Sequence, residues 1–182
     1  MVTRISVLWR RAMPNIHHQF QIRAPMLAVF DAFTTPEGLN SWWTLEAGGE
    51  PELDSQYRLY FGPEYDWLAK VIHIHRSDQL TWSPVHALED WMPTQFGFTL
   101  YESGLFTGVR FSHTGWVSEN DHFAVTNFCW GQLLNGLKSY LEHGVVIPFA
   151  NRNESNCEAN HQLNSARLAS KISVDPRINT KD

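Results

Sequence analysis

The sequence predicts an α+β domain in which a curved antiparallel sheet of about six strands wraps around one long C-terminal helix, with two short helices after the first strand. Three observations carry that prediction. A strand-like segment stops at Ala24-Pro25 and gives way to two short helical stretches ending in the paired indoles Trp42-Trp43. Five further apolar–polar segments then follow one another across short turns, the pattern of an antiparallel sheet. From about Asp121 to His143 the apolar period lengthens from two to three or four residues, which is the signature of an amphipathic helix.

Each element has its own local reason. In the first strand Ile16, His18, Phe20, Ile22 and Ala24 share one face, and His17, Gln19, Gln21 and Arg23 share the other. Pro25 suits a first helical turn, where the N–H it lacks would go unpaired. The helix that follows carries Val29, Phe30 and Phe33. Thr35 before Pro36 starts a second short helix, with the threonine hydroxyl placed to cap it. Gly48-Gly49 and Pro51 read as a turn into a strand from Gln56 to Phe61, and Gly62-Pro63 turns the chain again. A strand from about Trp67 to His75 and a short one from Leu80 to Ser83 come next. Pro84 to Pro93 reads as a loop. Thr94 to Leu100 and Thr107 to His113 complete the sheet, and Gly144 suits a helix stop.

Composition bounds the function. At 182 residues the chain holds one domain with extensions, and 43% hydrophobic against 18% charged residues marks it as globular. The net charge is −5 and the body has no Lys/Arg run, which excludes a nucleic-acid partner reading phosphates through clustered cations. No segment approaches the ~20 apolar residues of a membrane span, nor the charged-then-apolar layout of a secretory signal, so the cytoplasm is the expected location. Cys129 and Cys157 have no metal-type spacing and read as free thiols of a reducing compartment. Residues 1–14 carry three Arg and no acid and read as a flexible leader, the domain proper spans 15–149, and 151–182, with six Asn and no aromatic residue, reads as a disordered tail.

The order of elements resembles the START-like superfamily, also called SRPBCC or Bet v-like. Within it the chain is similar to the branch named after the activator of the ATPase of heat-shock protein ninety. The residues that carry the resemblance are Ala24-Pro25, Val29-Phe30, Ala32, Pro36-Glu37, Leu39 and Trp42-Trp43. They continue with Gly48-Gly49, Ala69, Val71, Leu80, the run Phe111-Ser112-His113-Thr114-Gly115-Trp116, and Trp130 to Gly144. Ala69 stands where the family usually has Gly, and Ser77-Asp78 replaces a common Pro-containing turn. The resemblance implies the helix-grip fold and a hydrophobic cavity between sheet and helix, and among its members are ligand binders, cyclases and chaperone regulators.

Chemistry-bearing motifs are few. Trp43, Trp67, Phe96, Phe98, Phe111, Trp130 and Leu133 are the expected cavity lining, with the Trp42-Trp43 pair near its mouth; taken singly, each is more often a core residue, and it is as a set within this fold that they point to a lined pocket. His113 aligns with Val109 and Phe111, so it points inward and needs a partner, either a backbone carbonyl or a polar group on a ligand. His73 and His75 lie two apart on a strand, but no third metal ligand has a telling spacing. Glu64, Tyr65, Asp66 and Arg110 offer acid–base groups with no spacing that locks a pair. No phosphate loop or nucleophile elbow is present. The leading expectation is a binding module for a small hydrophobic ligand, without cofactor or metal. A chaperone-regulator-like interaction module follows from the resemblance, and a cyclase- or dehydratase-type enzyme is the remaining alternative.

Overall fold

In the computed structural model, which describes residues 13–75 and 77–152, β1 (Ile16–Ile22) leads into α1 (Met26–Thr34) and α2 (Pro36–Trp42). Six strands follow: β2 (Glu46–Gly48), β3 (Gln56–Gly62), β4 (Tyr65–His75), β5 (Gln79–His86), β6 (Gln95–Ser103) and β7 (Phe106–Thr114). The long helix α3 (Asp121–His143) and a single 3-10 turn at Phe149–Asn151 complete the described chain. All pairings are antiparallel, in the order β1-β7-β6-β5-β4-β3-β2, so the first strand closes against the last and each remaining strand lies beside its sequence neighbour. This is the helix-grip arrangement.

The helical entry works as the sequence implies. Pro25 is the N-cap of α1, and the Thr35 hydroxyl accepts a bond from the Gly38 amide at 3.0 Å, capping α2. Gly38 is dictated by the crossing of the two helices: a Cβ there would lie 2.5 Å from the Asp31 carbonyl oxygen. The Trp42 indole donates to Ala32 O at 2.9 Å and the Tyr57 hydroxyl donates to Thr34 O at 2.8 Å, so both helices are tied to the sheet through the end of α1. Burial pushes the Tyr57 phenol well above its ordinary range. At the far end, Asn120 caps α3 through the Phe123 amide, and Gly144 ends it in the left-handed region at φ 68°. Glu142 accepts from the Arg23 amide at 2.7 Å and from Lys138, fastening the last turn of α3 to the exit of β1.

The sheet departs from the sequence reading in three places. There are seven strands: Glu46–Gly48, to which the sequence reading assigned no strand, pairs with β3, and three residues are too few to display an alternation. β5 runs through Pro84 to His86. A register shift between Leu68 and Ala69 lets the ladder pass opposite the proline, which has no N–H to contribute. The shortened loop that remains carries Trp91, buried at 5% exposure, at a position with no periodic signal for a core residue. Cys129 is also corrected: it is disulfide-bonded and not a free thiol. Cys157, most of the leader and nearly all of the tail lie outside the described residues.

Among the described residues no helix is long and apolar enough to cross a membrane.

Candidate ligand site

The inward faces of β3 to β7, the end of α2 and the middle of α3 bring their aromatic rings to one place. Trp43 follows α2 directly and is 6% exposed. Its ring meets Phe61 at 5.6 Å, Phe96 at 5.7 Å and Trp130 at 5.1 Å. Phe98 stacks on Phe33 at 4.1 Å, and Phe111 lies 4.4 Å from Trp130. Alternation in β6 and β7 turns Phe96, Phe98, Phe111 and His113 inward together, while the helical period of α3 puts Trp130, Leu133, Leu134 and Leu137 on the facing side. Trp67 is half-buried, against Phe61 at 5.1 Å and Trp91 at 4.7 Å. Seven of the eight residues singled out from the sequence therefore belong to one connected ring cluster. Leu133 stands beside it, facing a small pocket with Trp42.

The rings are in contact with one another, so the described interior is packed by its own side chains. Three residues that sequence reasoning did not assign to the site are part of it: Trp82, stacked on Phe96 at 5.4 Å; Trp91, 4.4 Å from the His113 ring; and Trp116, 4.7 Å from the same ring. Trp116 ends the run that carries the family resemblance, and the eight tryptophans of the sequence are the general signal for the other two.

His113 is fully buried, and both its nitrogens are engaged. The Trp130 indole donates to Nδ1 at 3.1 Å. The imidazole proton therefore sits on Nε2, which donates to Thr94 Oγ1 at 2.9 Å, and the threonine hydroxyl passes its own proton to the Trp91 carbonyl at 2.6 Å. The expected backbone carbonyl is thus reached through a hydroxyl. Burial, reinforced by nearby His122, pushes the His113 pKa down to about 3, so the ring is neutral near pH 7. It positions Trp130 and has no nitrogen left to shuttle a proton. The loop bearing Trp91 is pinned in turn by Asp90, which accepts from Asn120 at 3.1 Å and from His122 at 3.0 Å at the start of α3.

Against that saturated chain stand three unmatched donors. The indole N–H groups of Trp82, Trp91 and Trp116 are buried and meet no acceptor among the described residues. An unmet buried donor costs roughly 1–3 kcal/mol.

The acid–base candidates do not converge. Asp66 is held in a two-point contact by Arg58 at 2.8 and 2.9 Å on the exposed side of the sheet, and that bond holds its carboxyl below the usual range. Arg110 lies over the Tyr101 ring at 4.8 Å, also outside. His75 pairs with Asp78 at 2.8 Å, and His73 is exposed.

Comparison with known proteins agrees with this architecture. The family described as "Activator of Hsp90 ATPase homolog 1-like protein" matches residues 23–142. The solved structure of the Aha1 dimer from Colwellia psychrerythraea is 32% identical, covers 72% of this chain and 98% of its own, and superposes with a TM-score of 0.67. Protein SSP2350 from Staphylococcus saprophyticus is 20% identical with a TM-score of 0.64, covering 74% of this chain and 96% of its own. CalU16 from Micromonospora echinospora is 19% identical with a TM-score of 0.58, covering 84% and 92%. The last two show likeness of fold alone. No curated protein sequence matches the chain.

Proposed function

The chain belongs to the Activator of Hsp90 ATPase homolog 1-like family, and from that premise we propose that its START-like domain, residues 15–149, binds a small hydrophobic or aromatic molecule carrying a hydrogen-bond acceptor between the sheet and α3. The observation that carries this reading is the trio of buried, unpartnered indole donors at Trp82, Trp91 and Trp116, linked through Phe96 and His113. A ligand oxygen set against them would recover part of the 1–3 kcal/mol that each unmet donor costs, roughly. Trp43, Trp67, Phe96, Phe98, Phe111 and Trp130 are the lining, with Leu133 at its edge towards the small pocket beside Trp42, and His113 holds Trp130 in place.

Because the rings touch, the ligand must part them. Trp67 is the least buried of the set and is the ring that swings aside. Ring–ring contacts worth about 0.5–1.5 kcal/mol each are then exchanged for ring–ligand contacts of the same kind, so aromatic ligands suit the exchange better than aliphatic ones. Intrinsic tryptophan fluorescence titrated with flavonoids, polyketides and fatty acids tests the reading, alongside native mass spectrometry of freshly purified protein. Saturable quenching by acceptor-bearing aromatics is expected. Trp91→Phe, which keeps a ring and deletes its N–H, should weaken those ligands roughly tenfold, equivalent to about 1.4 kcal/mol, and leave acceptor-free hydrocarbons unaffected. No binder across the panel removes the idea.

A second reading is favoured by the likeness to the Aha1 dimer, a chain of which nearly the whole length is covered. On that reading the domain works through its outer surface, as a dimer and on a chaperone, in the cytoplasm. The ATPase rate of the cognate Hsp90 with and without the protein discriminates, and an unchanged rate counts against it.

A further inference from the structure

Beyond the end of α3 the chain doubles back and reaches the C-terminal end of α2 at Arg152, which is only 9% exposed. Its guanidinium donates three hydrogen bonds, all to main-chain carbonyls: Nε to Ile147 at 2.8 Å, Nη1 to Thr44 at 3.0 Å and Nη2 to Asn40 at 2.7 Å. The Asn40 carbonyl is among those that the C-terminus of α2 leaves unpaired, and the negative end of that helix favours a cation there. That accounts for three of the five N–H groups of an arginine. Among the described residues the remaining N–H on each terminal nitrogen meets no acceptor and no carboxylate pairs with the charge, whereas buried charges are ordinarily paired.

Arg152 borders a pocket of about 20 Å3 between α2 and α3, whose other walls include Ser41, Trp42, Leu133, Gly136 and Ile147. The space holds one or two water-sized groups, which suits a carboxylate head and excludes a ring. Ile147, on its wall, is 36% exposed and offers an apolar surface at the rim. A buried cation with two donors unused among the described residues, a head-sized hollow and an apolar side chain at its rim share one chemical complement.

We propose that the Arg152 pocket binds the head of an amphiphilic monocarboxylate, the carboxylate oxygens accepting from the two idle guanidinium N–H groups and the apolar chain lying against Ile147 and Leu133. The site is separate from the aromatic interior and stands whether or not that interior takes a ligand.

Calorimetric titration of the full chain with decanoate and, in parallel, decan-1-ol tests it. Decanoate is expected to bind saturably and roughly tenfold more tightly than the alcohol, given the added charge-assisted bonds. Arg152→Gln should abolish that preference. Since this variant also removes a helix cap, Gly136→Leu serves as the second: a Cβ at Gly136 meets only Ile147 Cδ1, at 3.7 Å, so the added side chain fills the pocket without displacing backbone. It should lose decanoate binding while its melting temperature holds. Decanoate binding should also persist when the interior is challenged with saturating flavonoid, which separates the two sites. Equal affinity for acid and alcohol, no binding in the millimolar range, or undiminished binding in Gly136→Leu each overturns the proposal.

Discussion

Among the described residues His113 and Arg152 are both buried, both basic and both without a carboxylate partner, yet burial acts on them in opposite ways. The imidazole, with an ordinary pKa near neutrality, escapes the desolvation penalty by giving up its proton, and its neutral ring then fits a closed chain from Trp130 through Thr94 to the Trp91 carbonyl. The guanidinium is also pulled down by burial, but from so high a starting value that it stays charged. It must collect carbonyl dipoles instead, and after three of them it still has donors to spare. The His113 chain has therefore resolved its own polar groups, whereas the guanidinium, like the indole N–H groups of Trp82, Trp91 and Trp116 beside the imidazole, is left with unused capacity. Saturation marks a structural role, and residual capacity is where a ligand gains most.

The contrast is sharpened first by removing the saturated end. Trp130→Ala deletes a fully buried indole and leaves the His113 Nδ1 acceptor unmet, so a loss of about 3–5 kcal/mol is expected from the cavity alone; urea unfolding measures it. Trp43→Ala should cost a similar amount, roughly 3–5 kcal/mol, and a loss under about 0.5 kcal/mol, typical of surface changes, would mean that the clamp is not the packed element described.

The next effect is one of pH. The folded His113 pKa lies below its unfolded value of 6.5, so the stability it contributes is fully present above pH 6.5 and is lost as pH falls toward about 3. The loss has a slope of up to about 1.4 kcal/mol per pH unit. Asp66 and Glu142, also shifted downward, have unfolded values of 3.8 and 4.5, so between pH 6.5 and 4.5 His113 acts alone among the shifted groups. Urea midpoints across that window should fall for the parent chain and stay flat in His113→Gln. A parent chain as flat as the variant would mean that the imidazole is not held neutral.

Arg152→Gln should cost about 1.5–3 kcal/mol, the range of charge-assisted bonds, and should leave the pH profile between 4.5 and 6.5 unchanged, because the arginine does not titrate there. Smallest is Thr35→Ala, which removes the α2 cap for about 1 kcal/mol; thermal melting suffices to read it.

Much of the fold was legible because its elements are long and strictly periodic. The alternation in β1, β3, β6 and β7, the Thr35-Pro36 start and the three- and four-residue steps of α3 all map onto the elements they predict. What escaped depends on tertiary partners. β2 exists only because β3 lies beside it, and Pro84 sits in a strand because a register shift excuses its missing N–H. Trp91 is buried by a loop whose anchor, Asp90, reaches over thirty residues to His122. Within the site, alternation placed Phe96, Phe98, Phe111 and His113 on one face correctly, but whether rings enclose a space or touch each other depends on side-chain rotation, which no sequence pattern encodes. Arg152 gave no signal either, since its acceptors are carbonyls of residues more than a hundred positions away.

The most direct test of ligand binding in the aromatic interior is a 1H–15N spectrum of the tryptophan side chains, recorded as a flavanone such as naringenin is added. The Nε1–H signals of Trp82, Trp91 and Trp116 should move downfield and saturate together as they gain an acceptor, while those of Trp42 and Trp130, already bonded to Ala32 O and His113 Nδ1, hold their positions. If the three free indole signals stay fixed through the titration, or if all the indoles shift alike, the interior does not receive an acceptor-bearing ligand and the account is contradicted.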